Sequence, residues 1–147
     1  KIGSIVGGTA TEGKRLKAKF LDNTTSLQRL RDNVGIASGR GYLRGLDGRR
    51  VMVRSEHSAL NTLLQSAGAI VMKKALIILD EYAKIWGIDY EFVGNIHDEF
   101  QVEVREDHAD KFGMLAVASI QAAGKQLGLR CDLDGEYKVG NNWAETH

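Results

Sequence analysis

The 147 residues, 43% apolar and 27% charged, suit one globular domain with a real core and exclude a disordered tail. Unbroken apolar runs such as Ala67 to Met72 and Ala75 to Leu79 fall short of the ~18 residues of a membrane span, and the single cysteine, Cys131, excludes an internal disulfide framework and a four-cysteine zinc site. Residues 1–55 hold 12 Lys and Arg against 4 Asp and Glu, while residues 56–147 hold 8 against 15; the first part suits a polyanion and the second could gather metal ions, unless the two neutralise each other.

The chain opens on Lys1 rather than Met, which points to a piece of a longer protein. Thr9-Ala-Thr-Glu12 is a capping box, and Leu16 and Phe20 follow one turn apart, so a helix is predicted over about 10–21. Lys14, Arg15, Lys17 and Lys19 make it basic. The same stretch, Gly8 to Lys14, matches the phosphate-cradling pattern G-x-x-x-x-G-K. Arg15 stands where Ser or Thr should hold Mg²⁺, and only the short stretch Ile2 to Val6 precedes it, so the cap is the better reading. Thr25-Ser-Leu-Gln28 predicts a second capped helix with Leu27, Leu30 and Val34 on its apolar stripe, ended by the glycines from Gly35 to Gly41.

Residues 42–54 read as a hairpin turning at Asp47-Gly48, with Val51 and Val53 on one face and Arg50, Met52 and Arg54 on the other. Ser55 can cap a long helix to about Trp86, with Leu60, Leu63, Leu64, Ala67, Ile70 and Val71 on one stripe. Past Gln65 it is apolar nearly all round and is expected to be buried, with Ala67, Gly68 and Ala69 admitting a close neighbour. Residues 90–96 and 100–104 read as strands around His97-Asp98-Glu99. Glu106 and Asp107 open a helix whose core face is Phe112, Leu115, Ala116, Ile120, Ala123 and Leu127, stopped by Gly128. Residues 129–139 read as a last strand, kinked at Gly135. The hairpins exclude an all-parallel sheet, so the fold class is α+β, with helices on one face of an antiparallel sheet.

Two patterns suggest chemistry. Adjacent carboxylates at the tip of a hairpin, Asp98 and Glu99, repel unless a divalent cation compensates them. Neighbouring strand residues face opposite ways, so they are unequal ligands, and a two-metal site needs a further carboxylate from elsewhere. A solvated acidic turn is the plainer alternative. His57, Asn61 and Gln65, at i, i+4 and i+8, form a neutral hydrogen-bonding stripe suited to base edges or sugars in a minor groove, or to water alone. His108, His147 and Cys131 lack zinc-ligand spacing.

Gly45-Leu-Asp-Gly48, His57-Ser-Ala-Leu-Asn61-Thr-Leu-Leu-Gln65-Ser-Ala-Gly68, His97-Asp-Glu-Phe-Gln101-Val and Gly140-Asn-Asn-Trp143-Ala occur in an order that resembles the C-terminal part of A-family, polymerase I-like DNA polymerases, phage replicative enzymes above all. The resemblance implies catalytic roles for Asp98 and Glu99, with Asp98 the ligand of a two-ion Mg²⁺ site that is incomplete in this chain. It implies that His97 meets the primer end and that His57, Asn61 and Gln65 track the minor groove; His57 stands where much of the family has Arg. Residues 1–38 would be a helical fingers segment and residues 39–147 a palm with an antiparallel sheet. The implied partners are primer–template DNA, dNTP and the rest of the polymerase, with no membrane, and the implied location is the host cytoplasm if phage-encoded. The family's other catalytic aspartate and its nucleotide-binding fingers helix are not among these motifs, so the chain alone is expected to be inactive. A non-catalytic duplex-DNA-binding module is the alternative, and a stand-alone Mg²⁺ nuclease comes third.

Overall fold

In the computed structural model, which describes residues 2–147, Thr9 starts a helix as its spacing predicts. Its hydroxyl accepts the Glu12 N–H at 3.3 Å, and helix α2 runs over Ala10–Asn23. Gly13 is buried within α2, so Gly8 to Lys14 forms a helix start and not a phosphate loop. A short α1, Ile2–Ile5, precedes it. Gly3 there lies against the Thr9 backbone, and a Cβ would sit 2.1 Å from the Thr9 oxygen.

Helix α3 spans Thr25–Ser38, but the capping box at Thr25 does not form. Thr24 is the single residue between α2 and α3. Its hydroxyl turns back to donate to the Phe20 carbonyl at 2.6 Å and makes no cap bond to the next helix. As expected, α3 ends within the stretch from Gly35 to Gly41, at Ser38 with Gly39 as its C-cap; Gly35 lies inside the helix, where a Cβ would sit 3.2 Å from the Glu56 carboxylate. The chain then turns at Gly41, φ 80°.

Strands β1, Tyr42–Arg44, and β2, Arg50–Met52, pair as a hairpin. The connection is longer than the two-residue turn expected. Gly45 N–H donates to the Arg49 carbonyl at 2.8 Å, Gly48 has φ 85°, and Arg49 is bound to the Asp47 carboxylate. The faces are as expected, with Val51 and Val53 half-buried and Arg50, Met52 and Arg54 exposed.

The chain divides into two units. One holds residues up to Leu43 together with Arg50–Leu63. Its core is Val34, Leu43 and Ala59, with Ala37, Val53, Leu60 and Leu63 against them. The other holds Arg44–Arg49 and Leu64–His147.

Helix α4, Glu56–Ile85, is the long helix predicted. In the second unit its Leu79 and Ala83 form a cluster with Ile88, Phe112 and Ala116, and its Ala75 and Ile78 pack with Ala123. It is not buried all round: Ile77 is 55% and Ile85 79% exposed, and Gly68 faces open space. A helix needs only one apolar stripe to anchor it. By length and composition α4 is apolar enough to cross a membrane, which the short unbroken runs did not suggest; core helices of globular proteins share that property.

Strands β3, Tyr90–Ile96, and β4, Glu99–Val104, form an antiparallel hairpin. Tyr90 pairs with Val104 and Phe92 with Val102. A bulge between Phe92 and Gly94 then shifts the register, pairing Gly94 with Gln101, Asn95 with Phe100 and Ile96 with Glu99. Phe100, Val102 and Val104 face the helix cluster, so Glu99 and Gln101 face away. The Tyr90 hydroxyl donates to Asp80, which also pairs with Lys84 at 2.7 Å. Helix α5, Ala109–Gln126, follows a 3₁₀ turn, Glu106–His108, and ends at Gly128, φ 70°. These elements make an α+β fold with small antiparallel sheets.

Residues 129–139 are not a strand. They form an unpaired strap whose side chains seat on α5 in place of a sheet ladder. Added Cβ atoms would meet the Tyr137 ring at 2.2 Å from Gly113, Leu133 at 2.9 Å from Gly124, and Ile120 at 2.8 Å from Gly135. The strap therefore runs opposite to α5, locked by glycine notches. Helix α6, Trp143–Thr146, follows, with Asn142 before it bonded to Glu145 at 2.6 Å.

Two outcomes are expected. Gly113→Ala should lower stability by ~1–3 kcal/mol in denaturant melts through overpacking, and adding Tyr137→Ala should remove the clash; equal losses in both backgrounds would place the strap elsewhere. Burial, and then the Asp80 carboxylate, push the Tyr90 phenol up to about 12 from its ordinary 10.0. A raised pKa adds stability below the unfolded value, which fades as pH climbs from about 10 to 12. Tyr90→Phe should remove a tyrosinate absorbance step near pH 12 and flatten that alkaline decline.

Candidate active site

Ile96 pairs with Glu99, which leaves His97 and Asp98 as the whole connection between β3 and β4. So tight a turn needs left-handed backbone, and His97 supplies it with φ 56°. Among the described residues it is the one non-glycine with positive φ. A left-handed L-residue costs roughly 1–2 kcal/mol, and such strain gathers at functional sites. His97 and Asp98 are both exposed at the tip.

The two adjacent carboxylates stand differently. Asp98 makes no side-chain hydrogen bond or ion pair among the described residues. Glu99 is half-buried, and both its oxygens are engaged. Gln101 Nε2 donates to Oε1 at 2.5 Å, and His147 Nδ1 lies 3.2 Å from Oε2. The Gln101 bond, then that to His147, with positive charge from His147 and Lys138, holds the Glu99 carboxyl below its ordinary range despite partial desolvation. Thr146 Oγ1 is 3.2 Å from the Gln101 Oε1. Asp98 is thus a free oxygen donor of the kind Mg²⁺ prefers, while Glu99 is already spoken for. Among the described residues no group of three or more His, Cys, Asp or Glu is placed to hold a metal ion, so Asp98 would be a single donor to such a site.

Gln101 stands in the quoted motif without an assigned role, and Thr146 and His147 escaped the motif reading. Gln101 could have been found, since i and i+2 on a strand share a face. His147 could not, because 48 residues separate it from Glu99. His57, Asn61 and Gln65 lie on α4, all exposed and without side-chain hydrogen bonds or ion pairs among the described residues. On the first hairpin the guanidinium carbons of Arg40 and Arg50 lie 5.8 and 5.0 Å from the centre of the Tyr42 ring, an exposed cationic cluster about an aromatic.

The sequence profile of DNA polymerase family A matches residues 9–145. The DNA-directed DNA polymerases of Enterobacteria phage T3 and Escherichia phage T7 are each 38% identical over all of this chain and 24% of their own length. DNA polymerase I of Aquifex aeolicus is 26% identical over 99% of this chain and 26% of its own. The chain thus spans about a quarter of the length of these relatives. Among solved structures, the POL domain of Pol1 from M. smegmatis, in complex with DNA primer-template and dNTP, has a similar fold: TM-score 0.71 at 22% identity, covering 82% of this chain and 24% of that one.

Replacing His97 with Gly should leave the hairpin intact and raise its unfolding midpoint, whereas Val, branched at Cβ, should lower it by about 1–2 kcal/mol. A Gly variant that melts earlier than the parent would show the imidazole itself braces the turn.

Proposed function

The chain belongs to DNA polymerase family A, and from that premise we propose that it forms part of a template-directed DNA polymerase that adds dNTPs to a primer 3′ end. The observation that carries this reading is the inequality at the β3–β4 tip, a free Asp98 beside a tethered Glu99. Asp98 would hold Mg²⁺. When bound, Mg²⁺ in a two-ion site supplies Lewis-acid stabilisation of the charge on the attacking and leaving oxygens. Glu99 keeps a fixed negative charge beside the metal ligand, and His97 is presented at the tip toward the primer end. His57, Asn61 and Gln65 bind the minor groove through neutral donors and acceptors, a contact that tolerates any sequence. The cationic face of the first hairpin meets phosphates.

In this reading residues 1–38 belong to the fingers and residues 39–147 to the palm. The two tip carboxylates fall short of a two-ion donor set, so the chain alone does not extend a primer and depends on the remainder of the polymerase. Its phage relatives favour a place in the host cytoplasm.

The test is Asp98→Asn in the polymerase that contains this chain. Single-turnover incorporation should fall by on the order of 10²–10³ while primer–template affinity holds. Near-normal incorporation would remove the metal-ligand role and favour a non-catalytic DNA-binding module.

A further inference from the structure

Glu99 is held by side chains from a segment that no site motif includes. Thr146 and His147 close a network on the face of β4 opposite the helix cluster. An ionised carboxylate only accepts, so His147 Nδ1 must carry the proton it shares with Glu99 Oε2 at 3.2 Å. Gln101 then links two contacts: its amide nitrogen donates to Glu99, and its oxygen accepts from the Thr146 hydroxyl. That hydroxyl also lies 3.2 Å from the Trp143 carbonyl, and the two acceptors share one proton. His147 is itself fixed, its N–H donating to the Trp143 carbonyl at 3.0 Å and its ring meeting the Trp143 indole edge-on at 6.1 Å. The segment is delivered by the strap seated in the α5 glycine notches.

We propose that Thr146 and His147 are positioning residues for nucleotidyl transfer, which hold Glu99 through Oε2 and through Gln101 so that it cannot swing to compete with Asp98 for the metal. The proposal rests on the reading of Asp98 as metal ligand. A loose glutamate one residue away could reach toward a cation or toward solvent, with two rotamer-rich bonds to choose by. Engaging both oxygens removes that freedom without a metal, and Asp98 alone remains available.

The experiment uses the complete polymerase carrying this chain, with His147→Ala, His147→Gln, Thr146→Val and Gln101→Ala. Maximal single-turnover rate, primer–template affinity and melting temperature are measured for each, beside Asp98→Asn. Loss of such outer-shell partners typically costs 10–100-fold, so His147→Ala should lower the maximal rate by about that factor with affinity and melting unchanged. His147→Gln, whose amide can donate to Glu99, should recover most of it. Thr146→Val should act in the same direction by less. His147→Ala placed on Gln101→Ala should add less than it does alone, because both act through one carboxylate. A His147→Ala enzyme with a full maximal rate overturns the proposal, whether its DNA affinity is unchanged or is weakened by loss of a direct DNA contact. So does an equal loss in the Ala and Gln variants, or a loss that only tracks melting. If Asp98→Asn stays active, the metal-ligand reading itself has failed; if it is dead while His147→Ala runs at full rate, only the positioning role has.

Discussion

The two-residue connection between β3 and β4 is the constraint from which the rest of the site follows. Because only His97 and Asp98 join the strands, Glu99 is already paired with Ile96 and its face is fixed by the pleat. Phe100, Val102 and Val104 are then committed to Leu79, Ala83, Phe112 and Ala116. A register slip of one residue would put those apolar side chains in water and Glu99 in the core, so burial holds the carboxylates where they are. The left-handed backbone at His97 is the local cost, and packing a few residues away sustains it.

The bulge at Phe92–Gly94 adjusts the partner strand to this arrangement. Before it, Tyr90 and Phe92 lie on the helix side with Val104 and Val102. After it, Gly94 and Ile96 share the other face with Gln101 and Glu99. The small Gly94 stands opposite Gln101, on the face where α6 delivers Thr146. One extra residue thus changes which side chains of β3 border the polar network, the re-aiming that bulges perform beside functional sites.

Helix α5 and its strap show a second way of fixing a long-range contact. A strand in residues 129–139 would have paired its backbone with a sheet edge. Side chains do the work here, with Tyr137 and Leu133 lying where Gly113 and Gly124 have no Cβ. Most residues of the strap are exposed, so water can reach backbone groups that no ladder pairs. That is why an alternating apolar pattern with Leu129, Leu133 and Tyr137 resembles a strand in sequence.

Much of this protein was legible in its sequence because the forces involved are local. Periodicity identified α2, α3, α4, α5 and the four strands; Thr9, Gly48 and Gly128 marked a start, a turn and a stop; and His97-Asp98-Glu99 marked the tip. These features depend on residues within a turn or two of one another. The failures are those where a distant partner decides. Thr25 lost its cap to a one-residue junction. The outer half of α4 stays exposed although its composition suggests burial. The difference between Asp98 and Glu99 was visible in part, since strand alternation makes them unequal. Glu99 is tethered by Gln101, two residues on along the same strand face, and by His147, 48 residues on and brought in by packing. No local propensity records the His147 contact, because it depends on how the strap fits α5 and not on the residues beside either end.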